Sequence, residues 1–243
     1  MISGILVFAA VCTARAAVYT FPNSAEYDSN FREILNPGAT SFNAGGYISN
    51  TNTNLLFTGA FDTDGAGAGT TLYPVTVGTT LSVSADVRFS HAGSFGFFFS
   101  AVGGGVTYLT LLNADAGSAN DQARIFSGGS LATGAVGTQD LNNSASDTVT
   151  LGSYSTLSST FEVISADSIQ ISLTTGAQTF SQIYTGVTLP TSVEIGIRTF
   201  NPAGSVNPSL DFDNFTVTDP VPEPSVTGLG ALGMLALLAR RRR

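Results

Sequence analysis

Closely spaced Asp and Asn side chains could do chemistry in this chain, because their oxygens are the ligands that calcium prefers. Asp62 and Asp64 stand two residues apart before Gly65, as at the start of an Asp-rich calcium loop, but the Glu that should close such a loop is missing. Asp and Asn are also common turn formers, so a structural alternative stays open. The candidate calcium ligands are Asp62, Asp64, Asp211 and Asp213, and a further oxygen-rich stretch contains Asn113, Asp115, Asn120 and Asp121.

Residues for catalysis are scarce. Glycosidases need two carboxyl groups held across a cleft, one of them with a raised pKa, yet the chain has five Glu and no Glu-x-Asp-x-Glu strand. His91 is the sole histidine, in a predicted turn, and no Gly-x-Ser-x-Gly motif marks a nucleophile. A histidine-based zinc site needs more than one histidine. We therefore predict no catalytic residues, and a carboxylate pair at Asp211 and Asp213 is the alternative.

Aromatic side chains could bind a sugar, because an exposed ring offers an apolar face for stacking. The chain has no Trp, so the candidates are tyrosines. Tyrosines also form cross-strand pairs that stabilise a sheet, and both interpretations stay open. Phe95 and Phe97–Phe99 are close enough to fill both faces of a buried strand, which predicts core packing. The tyrosine candidates are Tyr47, Tyr73, Tyr108, Tyr154 and Tyr184.

The charge distribution excludes one class of partner. Residues 17–219 contain four arginines, no lysine and 16 acidic residues, which gives a formal charge of −12. Such a surface repels phosphate backbones, so we expect no nucleic-acid partner. The one cysteine, Cys12, lies in the N-terminal segment. A body without that segment would form no disulfide and no thiolate metal site.

Alternation of apolar and polar residues predicts that the body consists of β-strands. Every second residue from Leu81 to Phe89 is apolar, and the same period recurs at Ile169–Leu173 and Val193–Ile197. Clusters rich in Gly and Asn, which suit turns, separate the segments. We predict an all-β fold, an antiparallel two-sheet sandwich of the jelly-roll kind. Further strands are predicted at Val18–Phe21, Leu55–Gly59, Ser94–Ser100, Val106–Leu112, Ala123–Phe126, Thr160–Ile164, Thr179–Tyr184 and Leu210–Val217.

Two segments of the body are less regular. Ser24–Leu35 is the one stretch before the tail with a helix-like pattern. Ala132–Ser159 is rich in Gly, Ser, Thr and Asn, and it is either a long loop or a pair of edge strands.

The first 16 residues have the pattern of a signal peptide. Ile2–Cys12 is an apolar stretch of suitable length, and Ala14 and Ala16 flank Arg15 as in an Ala-x-Ala cleavage site. No Lys or Arg precedes the apolar stretch, which departs from the usual pattern. We predict cleavage after Ala16.

The C-terminal tail has three ordered parts. Its prolines end any preceding strand, because proline lacks the backbone N–H. Residues 226–239 carry no charge, and as a helix they span about 21 Å, short of the ~30 Å hydrocarbon core. The arginines after them favour the cytoplasmic side of a membrane. The motif residues are Val221, Pro222, Glu223, Pro224 and Ser225, and the cationic stop is Arg240, Arg241, Arg242 and Arg243.

This order of Pro-Glu-Pro, short apolar helix and arginine cluster resembles the PEP-CTERM sorting signal. That signal occurs on exported proteins of Gram-negative bacteria that make extracellular polysaccharide. The resemblance implies transient insertion in the inner membrane and processing near Pro222–Pro224 by an exosortase-type enzyme, with this chain as the substrate. It also implies delivery to the cell surface or the extracellular polysaccharide matrix.

A second resemblance spans roughly residues 18–218. It rests on Ser84–Phe89, Gly96–Phe99, Arg124–Phe126 and Leu210–Val217, which are similar to segments of the concanavalin A-like (laminin-G-like) jelly roll. In that superfamily an Asp-Asn-Phe-type last strand returns beside the first, and a structural calcium is often held near it. A shared fold does not fix a function.

These observations predict a signal peptide at 1–16, a β-sandwich domain at 17–219, a Pro-rich sorting motif at 220–225, a short transmembrane helix at 226–239 and an Arg cluster at 240–243. We expect an exported, non-enzymatic protein whose body binds polysaccharide. The alternatives are a glycan-active hydrolase or lyase on the same fold and a structural adhesin without a defined ligand.

Overall fold

The structure, a computed structural model, describes residues 15–20, 31–35, 40–43, 47–50, 56–61, 71–114, 120–146, 149–200 and 210–219. Within these ranges the chain forms two sheets of eight strands each, which confirms the predicted all-β antiparallel two-sheet sandwich. No helix in the described ranges is long and apolar enough to cross a membrane. The predicted helix at 226–239 lies outside those ranges.

The two sheets differ in which parts of the chain they contain. Sheet A holds both ends of the described chain, and sheet B holds the phenylalanine-rich segment. Sheet A consists, in spatial order, of β14 (Gln178–Thr185), β13 (Ser168–Thr175), β12 (Tyr154–Ser165), β7 (Thr80–Phe89), β16 (Leu210–Asp219), β4 (Tyr47–Asn50) and β3 (Thr40–Asn43), and β1 (Arg15–Tyr19) also pairs with β16. Sheet B consists of β11 (Thr138–Ser146), β10 (Asn120–Ser127), β9 (Tyr108–Ala114), β8 (Gly93–Val102), β15 (Ser192–Phe200), β5 (Leu56–Phe61) and β2 (Phe31–Leu35), and β6 (Leu72–Pro74) also pairs with β15.

The core between the sheets is built by the alternating strands. Along β7 every second residue from Leu81 to Phe89 is buried, as predicted, and the residues between them face outward. Phenylalanines of β8 contact sheet A across the core, with Phe95 at 5.8 Å from Phe212 and Phe99 at 5.7 Å from Phe161 between ring centroids. Each fully buried side chain of this kind stabilises the fold by roughly 1.5–3 kcal/mol.

The prediction that the phenylalanines fill both faces of one strand is confirmed. Phe98 points away from the core and is fully buried all the same, because the segment after β10 covers the outer face of sheet B at this place. This outer cluster comprises Phe98, Leu109, Leu111, Phe126 and Leu131, with Val136 packed against it.

A β-bulge shapes the last strand. The register of β16 against β7 shifts between Asp213 and Thr216, and Asn214 has a positive φ of 50°. Asn tolerates this left-handed backbone conformation better than most residues. The extra residue keeps Phe215 in the core beyond the bulge while Asp211 and Asp213 stay on the outer face.

Two predictions about irregular segments need correction or refinement. The helix-like pattern at Ser24–Leu35 is wrong for Phe31–Leu35, which form β2, because pairing with β5 outweighs a weak helical preference. Ala132–Ser159 contains the edge strand β11 and also the start of β12, which lies inside sheet A.

Candidate functional site

Two rows of side chains cross the outer face of sheet B from β15 to β11, and we call them the sheet B patch. Their neighbours along each strand point into the core, so alternation turns these residues outward. None of them is acidic. One row is Arg198, Gly96, Leu111, Arg124 and Asn142, and the next is Phe200, Ser94, Asn113, Gln122 and Ser144.

An open pocket of about 170 Å³ lies at one end of the patch. Ser94 pairs with Phe200 on one side and with Asn113 on the other, so these three side chains share one row of the pocket wall. Phe200 is 36% exposed, whereas Ser94 is buried. The pocket is smaller than the ~300–1,000 Å³ that encloses a drug-sized ligand, so its size suits a single ring.

Arg124 is held in place by neutral amides. Its Nη2 donates to Gln122 Oε1, and in the amide orientation that satisfies both groups Asn113 Oδ1 accepts from Nη1 at 3.2 Å and from Nη2 at 3.3 Å. The Nε of Arg124 is buried and has no hydrogen-bond partner in the described part of the chain. The guanidinium is therefore oriented without being neutralised.

Arg198 lies in the same row and is more strongly desolvated. Burial lowers its pKa to about 10, so it stays protonated at neutral pH. Its Cζ lies 5.8 Å from the centre of the Phe200 ring, close enough for a cation–π contact. Its Nε, like that of Arg124, is buried without a hydrogen-bond partner among the described residues.

Gly96 lies between the two arginines in this row, and it lets strands β8 and β9 pack closely there. A Cβ at this position would lie 1.9 Å from the carbonyl oxygen of Thr110 and 2.9 Å from a methyl carbon of Leu111. The absence of a side chain lets Leu111, which is 3% exposed, lean over β8, so the buried outer cluster continues between Arg198 and Arg124.

Asp211, a predicted calcium ligand, is already bonded to protein groups. It is 1% exposed and faces Arg88 on β7 and Ser49 on β4. Arg88 donates to its Oδ2 from Nε at 2.8 Å and from Nη2 at 2.5 Å, and Ser49 Oγ donates to Oδ1. The calcium prediction finds no support at Asp211 in this geometry.

Asp213 shares the outer face with Asp211, as the i, i+2 spacing predicts, and lies directly opposite Asp86. Burial raises the pKa of Asp213; the Asn214 N–H bonded to its Oδ1 opposes this, and the charge of Asp86 adds to it. Asp86 itself accepts from Thr156 Oγ1 at 2.6 Å and from Asn214 Nδ2 at 2.7 Å. Within the described ranges no three His, Cys, Asp or Glu side chains converge as a metal site.

Several predicted residues lie outside the described ranges. These are Asp62, Asp64, Ala14 and the whole tail from Val221 to Arg243, so their roles stay predictions. Ala16 is described: it lies in β1 opposite Thr218 of β16. Cleavage after Ala16, which also stays a prediction, would leave Ala17–Tyr19 of that strand.

The tyrosine candidates divide by exposure. Tyr73 and Tyr108 are buried, so their rings cannot serve as surface platforms. Tyr184 packs on Tyr108 at 4.6 Å between ring centroids and donates from its OH to Asp140 Oδ2 at 2.8 Å. Tyr154 is 43% exposed, with the Arg88 guanidinium 5.0 Å from its ring centre. The side chain of Tyr47 lies outside the described part.

Sequence reasoning did not bring Arg124, Arg198 and Phe200 together. The available signal was rarity, because the body has four arginines and no lysine, and both of these arginines sit at polar positions of predicted strands. His91, predicted as a turn residue, does lie in the bend between β7 and β8, with its Nδ1 3.0 Å from Ser90 Oγ.

Comparison with solved structures identifies the fold. The CBM2 module of the Lactobacillus casei BL23 phage J-1 evolved Dit superposes with a TM-score of 0.55 at 8% identity, covering 86% of this chain and 99% of that one. The legume lectin-like domain from Entamoeba histolytica gives 0.54 at 10% identity, over 83% and 95%. The Emp46p carbohydrate recognition domain, in a potassium-bound form, gives 0.54 at 12% identity, over 84% and 97%.

Sequence comparison identifies the tail. Residues 220–243 match the PEP-CTERM protein-sorting motif, which confirms the resemblance seen in Val221–Ser225 and Arg240–Arg243. No protein of curated function matches the chain. The motif implies export through the membrane to the surface and processing by an exosortase. The chain therefore carries a PEP-CTERM sorting motif at residues 220–243, behind a body with the concanavalin A-like β-sandwich fold of the legume lectins.

Proposed function

We propose that this exported protein binds polysaccharide at the cell surface or in the extracellular matrix of a Gram-negative bacterium, without catalysis, through the sheet B patch. The observation that carries the proposal is the pocket beside Ser94, where the exposed Phe200 ring and the Asn113 amide flank a depression of about 170 Å³.

The chemistry of this pocket suits a sugar ring. A sugar presents an apolar face of C–H groups and a rim of hydroxyls, so it binds best where an aromatic surface lies beside amides. Phe200 offers the aromatic surface, and Asn113 and Gln122 offer amides in the same row. Neighbouring sugars of a chain would extend along the same row of the patch, toward Gln122 and Ser144.

The described side chains of the patch favour binding over turnover. Glycoside hydrolysis uses two carboxyl groups about 5–10 Å apart on opposite sides of the scissile bond. The ten residues of the two rows include no Asp, Glu or His. A fold shared with the Emp46p carbohydrate recognition domain supports the same proposal by analogy.

A glycan array probed with the purified full-length chain tests the proposal. We expect retention on at least one polysaccharide without release of reducing ends. Phe200→Ala and Asn113→Ala should each weaken that retention, while Tyr154→Ala, which removes an exposed ring from the opposite sheet, should leave it unchanged. Reducing-end release would establish the alternative of a glycan-active hydrolase or lyase. A chain retained on no glycan would leave the structural adhesin.

The predicted calcium stays a separate proposal, for Asp62 and Asp64. A ligand that binds the native state alone stabilises it by RT ln(1 + [L]/Kd) and so raises the melting temperature. Adding EDTA to the purified chain should then lower that temperature, and an unchanged value would remove calcium from the proposal. Emp46p, in its potassium-bound form, shows that a domain of this fold can hold a metal ion.

A further inference from the structure

We infer that the polysaccharide bound by the sheet B patch is anionic, and that Arg124 and Arg198 each bind a carboxylate of its acidic sugars. This inference rests on the proposed function and narrows it, because neutral glycans would satisfy the pocket but not the two guanidinium groups. Four observations carry it.

The first is the contrast among the arginines whose side chains the structure describes. Arg88 forms an ion pair with Asp211, in which its Nε and Nη2 both donate to Oδ2. Neither Arg124 nor Arg198 has a carboxylate within ion-pair distance in the described part of the chain. In a body with a formal charge of −12, acidic partners are abundant, so two arginines set apart from them form a local positive region in an acidic surface.

The second observation is the way in which Arg124 is oriented. The amide oxygens of Asn113 and Gln122 hold its Nη atoms, and its Nε is buried without a partner in the described structure. Neutral acceptors fix the plane of the guanidinium and leave its charge intact. A planar carboxylate matches the donor fork of such a group better than a hydroxyl does.

The third observation is the desolvation of Arg198. Its guanidinium lies against Phe200 and has a buried Nε without a partner among the described residues. A charge removed from water without a counter-charge costs free energy, and burial accordingly lowers its pKa. An anionic ligand at this position would recover that cost, and a neutral ligand would not.

The fourth observation is their spacing. Arg198 pairs with Gly96, Gly96 with Leu111 and Leu111 with Arg124, which places the arginines three strands apart, or about 14 Å at ~4.8 Å per strand. A polymer with a carboxylate on each sugar could meet both groups at once. Glu194, the outward carboxylate of β15, does not interrupt this arrangement, because it is four residues from Arg198, roughly 13 Å along the strand.

A matched pair of polysaccharides tests the inference. Polygalacturonate and its fully methyl-esterified form share one backbone and differ only at the carboxyl group, which is ionised in one and a neutral methyl ester in the other. The full-length chain is run by affinity electrophoresis through gels containing either polymer, with EDTA throughout, because calcium could bridge an acidic protein to an acidic glycan. Alginate and a neutral galactan serve as a second acidic and a second neutral probe.

The expected result is retardation by the acidic polymers that exceeds retardation by the neutral ones. Arg124→Gln and Arg198→Gln should each weaken binding to the acid form by about 10-fold to 100-fold, the usual effect of losing a charge-assisted hydrogen-bonded pair. Arg124→Lys keeps the charge but loses the donor fork, so it should recover only part of the affinity.

Ser181→Glu is the charge-matched control. It makes the net charge more negative by one, as Arg124→Gln does, but on the exposed edge strand β14 of the opposite sheet. Binding within about twofold of the wild type is expected, because charges separated by more than a Debye length of ~8 Å are largely screened.

The outcomes separate this inference from the function on which it rests. Equal binding of the acid and ester forms, or unchanged binding in both arginine-to-glutamine variants, would overturn the anionic ligand and leave glycan binding intact. A wild-type chain that is retained on neutral polymers alone, together with a Phe200→Ala variant that binds no polymer, would also overturn the anionic ligand and leave glycan binding intact. A wild-type chain retained on no polymer would overturn the proposed function as well.

Discussion

Removing Arg88 should destabilise the protein far more than neutralising its partner Asp211. The two residues are direct cross-strand neighbours on β7 and β16, and Ser49 of β4 lies on the other side of Asp211. Their exposure is unequal, since the Arg88 side chain is 33% exposed and that of Asp211 is 1% exposed. Arg88→Met keeps an apolar stem near Tyr154 but leaves a buried carboxylate with Ser49 as its described hydrogen-bond donor. Asp211→Asn leaves an arginine that can turn toward water.

The expected losses in unfolding free energy follow from this difference in exposure. A buried charge that loses its partner typically costs about 3–5 kcal/mol, and Asp211 is buried deeply enough for this range to apply to Arg88→Met. In Asp211→Asn the amide oxygen still accepts one hydrogen bond, and solvent can take over the rest of the guanidinium. The loss should then be about 1–2 kcal/mol, that of one charge-assisted hydrogen bond. With total stabilities of about 5–15 kcal/mol, the difference is large enough to measure.

Urea unfolding of the two variants and of the double variant tests this asymmetry. The double variant should be more stable than Arg88→Met, because it no longer buries an uncompensated charge, and the coupling free energy should be about 1–3 kcal/mol. Equal losses in the two single variants, or a double variant that loses the sum of both, would refute the reasoning. A coupling free energy in that range would identify Asp211 as a structural ion-pair residue.

Three further predictions concern the core, the patch and the tail. Burial, and to a smaller extent Asp140, raises the pKa of Tyr108 to about 12 and also raises the pKa of Tyr184 above the usual 10. Because these native-state pKa values are raised, their contribution to stability is fully present below pH 10 and is lost as the pH rises toward 12, by up to ~1.4 kcal/mol per pH unit for each tyrosine. Urea midpoints that do not change between about pH 10 and about pH 12 would contradict this prediction. Gly96→Ala places a Cβ 1.9 Å from a backbone carbonyl oxygen of β9, so we expect a loss of at least ~2 kcal/mol in denaturant unfolding, and a loss below ~0.5 kcal/mol would show that the strands can move apart freely. Replacing Pro222–Pro224 with alanine should leave unprocessed chain in the membrane fraction of the host, and normal surface delivery of that variant would count against the sorting role.

The strands that the sequence predicts best are those with one face in the core. In β7, β13 and β15, burial on one side of a sheet requires an apolar residue at every second position, so the pattern is visible without knowledge of the partners. The last strand was also predicted, at Leu210–Val217, whereas the bulge at which it changes register was not. These patterns were sufficient to predict the two-sheet class.

The shortest strands and the patch were not predictable in this way. Strands β3, β4 and β6 have three or four residues each, too few for a period to show. The β2 segment has a helical pattern that pairing with β5 overrides. The patch depends on register between strands that are far apart in sequence: Arg198 meets Gly96, and Gly96 meets Leu111. A single sequence does not encode such pairings in a local pattern, because any shift by two residues preserves the same alternation.

A comparison with the outer face of sheet A supports the proposal that sheet B carries the binding face. From β16 to β14, two rows across that face contain hydroxyl side chains alone, and several bond to one another: Thr160 with Ser172, and Thr174 with Thr179 at 2.9 Å. A hydroxyl can donate and accept, so such a row can satisfy itself and the surrounding water. Guanidinium groups only donate, and those of Arg124 and Arg198 retain buried donors without partners in the described structure. An acceptor from outside the described chain is therefore expected on sheet B and not required on sheet A. The two hydroxyl rows are Thr216, Ser84, Ser158, Thr174 and Thr179, and Thr218, Ser82, Thr160, Ser172 and Ser181.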